Sequence, residues 1–309
     1  MNAKNIILAI LMVLSFAACS SDIEGLDDNM TNTSANTGET SISVRMVTEG
    51  ISTKAGNEGT TIDPTTEEAA IKNYIIAVFE TKSGERVGFA TGTNTIPNIV
   101  CKEGEVIVYV VANASEKQFT NLYTLADFES VTVENLSDLV KVGKKEISLK
   151  QGEQNSLEIE LLQLTARVKV NFKVSVQSVE QATVTFKAGE CLAMIASSSD
   201  IHNVTAKDGE LVKVDNSNSS IAYYTYAVNN PQLTLNGKLT VNGKNKDNTK
   251  DVKIDIPFKK DGQILSSLKD GVSYEITVEA TLTVGVNATP EISYQVHDIE
   301  TIGQSISFE

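Results

Sequence analysis

The sequence predicts a mainly β protein with few short helices. Three observations carry that reading. From Ser41 onward, short runs alternate apolar and polar residues, the period of a strand with one buried face. β-Branched residues fill these runs, and Gly, Asn and Asp mark the turns between them. A helical period shows only over 120–140, where Leu122, Leu125 and Phe128 fall on one face. β-Sandwiches or open barrels are the default architecture for such a chain. Its 309 residues are enough for two domains.

The elements follow in order. Lys4 precedes an apolar run over 6–18, too short for the ~20 residues of a membrane-spanning helix. The run ends in Ala17 and Ala18, directly before Cys19, and reads as a secretory signal. Residues 20–40 are rich in Ser, Thr, Asn, Asp and Gly and read as a disordered tether. In 41–47, Ile42, Val44 and Met46 alternate with Ser41, Ser43 and Arg45, so a strand with one apolar face is expected. Residues 50–63 read as a loop. Further strands are expected over 74–80, 105–112, 145–149 and 156–176. They continue over 182–186, 222–228, 233–241, 252–256, 274–286, 292–296 and 305–308. Lys82-Ser83-Gly84 is a turn signal after the first of these. No short-period repeat occurs, which argues against solenoids and propellers. A coarse two-fold echo places a division near Leu164.

Composition excludes more than it assigns. Lys+Arg number 26 against 40 Asp+Glu, a formal charge of −14. An acidic chain without a basic cluster is a poor partner for nucleic acid. Two His and three Cys leave little for a transition-metal site or a His-based triad. No nucleophile elbow, His-Glu-x-x-His or phosphate-binding Gly-Lys loop is present, so neither a catalytic residue nor a cofactor is expected. His202 and His297 stand alone and read as surface residues. Asp27-Asp28 and Glu67-Glu68 are adjacent, and neighbours on a strand point to opposite faces. Residues 242–247 carry Lys where a calcium loop needs acceptors, and read as a hairpin tip. Cys101 and Cys191 read as two small buried thiols, with a disulfide as the alternative.

Several segments together resemble the FimA/Mfa1-type fimbrillins of Bacteroidia, subunits of type V pili. Phe16-Ala17-Ala18-Cys19 resembles a bacterial lipobox, with Phe at the usual Leu position. The run from Glu67 to Glu80 resembles the first strand of the mature fimbrillin N-domain, with an acidic lead-in before Tyr74-Ile75-Ile76-Ala77-Val78-Phe79. Val108-Tyr109-Val110-Val111-Ala112-Asn113-Ala114 is similar to a strand end of that family. Leu164-Thr165-Ala166-Arg167-Val168-Lys169-Val170 is similar to another of its strands, and Tyr274-Glu275-Ile276-Thr277-Val278 leads to a closing segment over 292–308. Many relatives carry Trp in that last segment; here Ile299 stands near its place.

The resemblance implies two tandem transthyretin-like β-sandwich domains. Its divisions are a lipoprotein signal peptide (1–18), a lipidated propeptide with tether and removable strand (19–54), and sandwich domains over 55–163 and 164–309. It implies lipidation at Cys19, an outer-membrane lipid partner, and a cell-surface fimbrium as destination. A trypsin-like protease would cut between Lys54 and Ala55, or alternatively between Arg45 and Met46. The removable strand would present Ile42, Val44 and Met46 to a groove. Ile302, Ile306 and Phe308 would form the donor set of another copy. The implied function is a structural fimbrial subunit supporting adhesion or biofilm, binding other copies of itself, related subunits and a host or bacterial surface ligand. An anchor, tip or accessory lipoprotein of the same family is the alternative. A surface glycan-binding lipoprotein is a reading from another class, set against an absence of Trp.

Overall fold

The structure is a computed structural model that describes residues 39–48, 65–93, 97–178, 183–215, 220–242, 247–284, 290–296 and 300–302. The first half contains β1 (Glu39–Thr48), α1 (Thr66–Ala69), β2 (Tyr74–Glu80), β3 (Arg86–Gly92), β4 (Asn98–Lys102) and β5 (Gly104–Ala112). α2 (Leu125–Glu129), β6 (Thr132–Val133), β7 (Lys141–Leu149) and β8 (Gln154–Gln163) complete it. Seven of these strands form one sheet in the order β3-β2-β5-β7-β8-β1-β4. β2 and β5 are near-continuous apolar runs because both their faces are covered. On one face Ile76, Val78, Val108 and Val110 meet Ile42, Ile99 and Ile159. On the other, Ile75, Phe79 and Tyr109 meet Phe119 and Phe128 from the segment between β5 and β7. Phe128 stacks edge-on to Phe79 with ring centres 5.3 Å apart. Gly84, at φ +72°, supplies the left-handed turn between β2 and β3.

The expected helical stretch holds α2, capped by Thr124 accepting from the Asp127 amide, and a 3₁₀ turn over Leu136–Asp138. The sequence reading missed α1. β2 spans Tyr74–Glu80 as expected, but residues 66–69 in the acidic lead-in before it are helical. The cause is a capping box: Glu68 N donates to Thr65 Oγ1 at 3.1 Å, and Thr65 N donates to Glu68 Oε2 at 2.8 Å. Glu67 and Glu68 therefore do not lie on a strand, and Glu68 is buried.

The second half runs β9 (Thr165–Ser178), β10 (Thr183–Ile195), β11 (Ser199–Asp200), β12 (Glu210–Val214), β13 (Ser220–Tyr226), β14 (Val228–Asn229), β15 (Leu233–Asn242) and β16 (Asp247–Ile256). The pair β17 (Lys259–Lys260) and β18 (Gln263–Ile264) follows, then β19 (Ser267–Leu268), β20 (Ser273–Val284), β21 (Pro290–Val296) and β22 (Glu300–Ile302). A four-stranded sheet, β12-β10-β15-β16, and a five-stranded one built on β13-β9-β20-β21, with β22 also paired to β20, share one buried cluster. Val168, Val170 and Ile276 meet Ala193, Leu235 and Ile254 within it. The strand-rich stretch over 156–176 holds two strands: β8 belongs to the first sheet, and β9 pairs with β13 and runs parallel to β20. Leu164 stands between them.

A buried polar junction ties residues 65–73 to both halves. Arg167, on β9, donates through Nη1 to Glu68 Oε2 at 2.8 Å and through Nε to Ser273 Oγ at 3.0 Å. Lys141 Nζ, almost fully buried, donates to the Ala70 and Leu139 carbonyls, each at 3.3 Å. Asn113, held at φ 62°, accepts from Lys72 N at 2.7 Å and donates to Ala70 O at 2.9 Å. Burial lowers the Lys141 pKa to about 8 from 10.5, against the opposing pull of Glu68.

Two predictions follow from this junction. Glu68→Ala leaves Arg167 buried without its carboxylate and is expected to lower stability by about 3 kcal/mol or more in urea unfolding, whereas Glu68→Leu with Arg167→Met recovers most of that. For Lys141, the unfolded chain holds a proton between pH 8 and 10.5 that the native chain has lost. Native stability therefore rises with pH across that window, and the cost of the buried charge is full below it. Relative to Lys141→Met, the unsubstituted chain should gain up to about 3 kcal/mol between pH 7.5 and 10.5.

Candidate functional site

The site is the seat of β1. Its backbone is paired on both edges, parallel to β8 from Ser41↔Gln154 to Thr48↔Leu161 and antiparallel to β4 from Glu39↔Lys102 to Ser43↔Asn98. The alternation read in the sequence sets the faces. Ile42 and Val44 are 0% exposed, Met46 is partly buried against the same cluster, and Thr40 and Thr48 are buried at the two ends. Their surroundings are Ile99 and Cys101 of β4, Leu157, Ile159 and Leu161 of β8, and Tyr74, Ile76 and Val78 of β2. Among the described residues, β4 has no ladder partner other than β1. β1 thus both fills the core and holds one of its walls.

The ends of the seat are polar. Thr40 Oγ1 donates to the Lys150 carbonyl at 2.9 Å and accepts from Asn155 Nδ2 at 3.0 Å. The same Asn155 amide donates to Ser41 O at 3.1 Å. At the other end Thr48 Oγ1 is buried without a hydrogen-bond partner among the described residues. On the outer face Arg45 Nη1 lies 3.6 Å from Glu158 Oε2, with both side chains well exposed. Such a seat recognises an extended segment: the two ladders bind any backbone, and the inward positions select side chains.

The residues named from the sequence fall as follows. Ile42, Val44 and Met46 share the inward face of β1, and Arg45 lies between them on the outer face. Ile302 ends β22, with its backbone opposite Ser273. Cys19, Lys54, Ala55, His297, Ile299, Ile306 and Phe308 lie outside the described residues. Cys101 and Cys191 are buried free thiols, and burial pushes them up to about 11 and about 12. His202 Nδ1 lies 2.9 Å from both Glu129 Oε1 and the Tyr109 hydroxyl, with Lys144 Nζ at 3.2 Å. The Tyr109 hydroxyl also hydrogen-bonds to Glu129, and its pKa is raised by burial and by that carboxylate. The group links the loop after β11 to β5, α2 and β7. The wall strand β4 escaped the sequence reading; its signal was Ile99 and Cys101 alternating with Asn98, Val100 and Lys102 over only five residues.

Residues 40–157 match the family model described as major fimbrial subunit protein (FimA). The match starts in β1 and ends in β8, so it spans both strands and the wall strand between them. No curated protein matches the chain. Among solved structures, it is similar to a candidate cell adhesion protein from Parabacteroides distasonis ATCC 8503, at TM-score 0.64 and 16% identity, covering 87% of this chain and 98% of that one. A candidate cell adhesion protein from Bacteroides eggerthii DSM 20697 gives 0.62 and 16%, covering 87% and 97%. The tip fimbrial protein Mfa3 from Porphyromonas gingivalis, with C-terminal truncation, gives 0.52 and 12%, covering 84% and 99%. At these identities the likeness is one of fold. Residues 40–157, with β1 and its neighbours inside the match, are thus similar to the major fimbrial subunit (FimA) family.

Proposed function

We propose that this chain is a structural subunit of a cell-surface fimbria, exported as a lipoprotein and polymerised by protease-triggered strand exchange. The family carries the coarser statement, a fimbrial role in adhesion. The observation that supports the finer one is the position of β1. It is buried, paired on both edges, and joined to β2 through residues 49–73, which contain Lys54-Ala55. In the uncut chain that connection keeps β1 at an effective concentration of about millimolar, which a strand from another copy cannot match. A cut after Lys54 ends that advantage. Burial of Ile42 and Val44 is worth roughly 1.5–3 kcal/mol each, so an empty seat is costly and a second strand restores the loss.

Lys54 suits the protease better than Arg45 does. A protease needs an accessible extended backbone, and Arg45 sits within a paired strand. In this reading Cys19 holds the precursor to outer-membrane lipid until the cut. The chain then forms two tandem transthyretin-like sandwiches, over 55–163 and 164–309, with the seat in the first and the donor segment in the second. Seat and donor differ, so the contact is heterologous and propagates as an open filament.

Lys54→Gln should leave a folded precursor that keeps residues 39–48 and forms no SDS-resistant polymer after trypsin-like treatment. A surface form that starts at Ala55 by mass spectrometry fits the reading, while one that keeps an acylated Cys19 makes the chain an anchor. Cys101 offers a second measurement, since its Cα lies opposite Thr40 and its side chain is buried in the cluster that β1 closes. A thiol reagent at pH 7.5 should leave Cys101 and Cys191 unlabelled in the folded precursor. It should label Cys101 at least tenfold faster once β1 is cut free, before a new strand enters, with Cys191 unchanged.

A further inference from the structure

The ladders on both sides of β1 repeat every two residues, so a slide of β1 by two leaves its backbone paired. A slide by one would turn Ile42 and Val44 outward, and the buried cluster forbids it. A slide by two keeps the row of Thr40, Ile42, Val44, Met46 and Thr48 inward, so some other contact has to select the register. We infer that Asn155, acting through the Thr40 hydroxyl, sets the register of β1, and that the first inward position of the seat is specific for a side chain that both donates and accepts. This selection operates in the uncut chain, whether or not the strand is later exchanged.

Asn155 is the polar member of an inward row on β8 that continues as Leu157, Ile159 and Leu161. Its Nδ2 donates to Thr40 Oγ1 at 3.0 Å, to Ser41 O at 3.1 Å and to Glu153 O at 3.2 Å. Two of these acceptors are carbonyls, so the nitrogen of the carboxamide, not its oxygen, faces them. Thr40 Oγ1 in turn donates to the Lys150 carbonyl at 2.9 Å. Lys150 and Glu153 belong to the turn between β7 and β8, where Gly152 stands at φ +71°. One hydroxyl thus ties the start of β1 to that turn. Thr40 and Asn155 are both buried, and a buried polar group without a partner is costly.

The two directions of slide meet different obstacles. In one, the Thr40 hydroxyl would enter the place of Ile42, which is 0% exposed and lies opposite Ile99. The apolar cluster opposes that move, because it offers the hydroxyl no partner. In the other direction packing is permissive: Val44 takes the place of Ile42 and Met46 that of Val44, apolar for apolar. Thr48 gives up no bond, since its buried hydroxyl has no partner among the described residues. The outer pair of Arg45 and Glu158, 3.6 Å apart and well exposed, adds little preference. What blocks this slide is Ile42 arriving at the place of Thr40. Isoleucine neither donates nor accepts, so the Lys150 carbonyl loses its donor and the Asn155 carboxamide an acceptor.

Disulfides within the uncut precursor read the register. Ser43 and Asn98 stand opposite each other on antiparallel strands, within disulfide reach, and the permissive slide brings residue 45 opposite Asn98 instead. On mild oxidation, Ser43→Cys with Asn98→Cys should link about tenfold more than Arg45→Cys with Asn98→Cys, each link assigned by mass spectrometry. Adding Thr40→Val or Asn155→Leu should raise the 45–98 yield about tenfold and lower the 43–98 yield. Thr40→Ser keeps both roles of the hydroxyl and should leave the first ratio unchanged. Thr40→Val exchanges a hydroxyl for a methyl group of similar size, which keeps the test open if Asn155→Leu does not fold. Equal linking through both pairs in the otherwise unsubstituted chain overturns the assignment, as does a ratio that survives Thr40→Val. Loss of the 43–98 link with no gain at 45–98 also overturns it, because the Thr40 bond would then fasten the strand without choosing its register. No protease is added, so none of these outcomes depends on strand exchange.

Discussion

Everything in the first half depends on one backbone requirement: a strand must stand between β8 and β4. Both neighbours present rows of amide and carbonyl groups toward that gap, and buried backbone groups left without partners are costly. β1 satisfies both rows at once, parallel on one side and antiparallel on the other. Its inward side chains then close a cluster to which β2, β4, β5, β7 and β8 all contribute. The dependence runs both ways. β4 brings Ile99 and Cys101 to the cluster, yet β1 is its ladder partner. Removal of β1 therefore takes away a filler and frees a wall.

The junction around Glu68 gives the opposite character to the chain just after the connecting segment. Residues 65–73 are held by a capping box, a buried ion pair to Arg167, the Lys141 ammonium and the Asn113 carboxamide. A buried ion pair is not a cheap source of stability, because desolvation offsets much of the attraction. What this one supplies is position. Arg167 also reaches Ser273, so α1 is tied to β9 and β20 of the second half. The segment carrying Lys54 thus runs between a strand held by side-chain packing and a short helix held by charge. In the proposed reading, cleavage there separates the two without disturbing the second.

Much of the β architecture was legible because it is local. β2 and β5 announce themselves as apolar runs, and β1 as strict alternation. What stayed hidden was non-local or short. β4 has five residues and two inward side chains, too few for a period to stand out. α1 is a single turn whose Glu68 reads as an exposed acid until Arg167, 99 positions away, is brought to it. The division expected near Leu164 lies inside continuous alternation, and it is the change of partner, from β7 to β20, that separates β8 from β9. Parallel pairings such as β1 with β8 join residues more than a hundred positions apart and leave no turn signal between them. The seat shared this limit: β1 and most of β8 could be read as strands from the sequence, while the wall β4 and the pairing of β1 with both walls could not.

In the strand-exchange reading, the parallel pairing with β8 also gives an assembly a direction. A segment lying as β1 lies must enter at the Thr40 end, where Lys150 and Asn155 hold the first inward residue. The described end of the same chain, Ile302, is anchored through Ser273 and Arg167 beyond the Thr48 end. The Thr40 end of the seat and the position of Ile302 therefore lie toward opposite ends of β8. In the proposed strand-exchange reading, each copy fills one neighbour and is filled by another, which is the condition for growth in one direction. Had β1 been antiparallel to β8, the same tail would have approached its own seat from the correct end, and closure within one chain would compete with assembly. In the strand-exchange reading, the sense of one strand pairing, more than the strength of any side-chain contact, decides between a filament and a self-capped monomer.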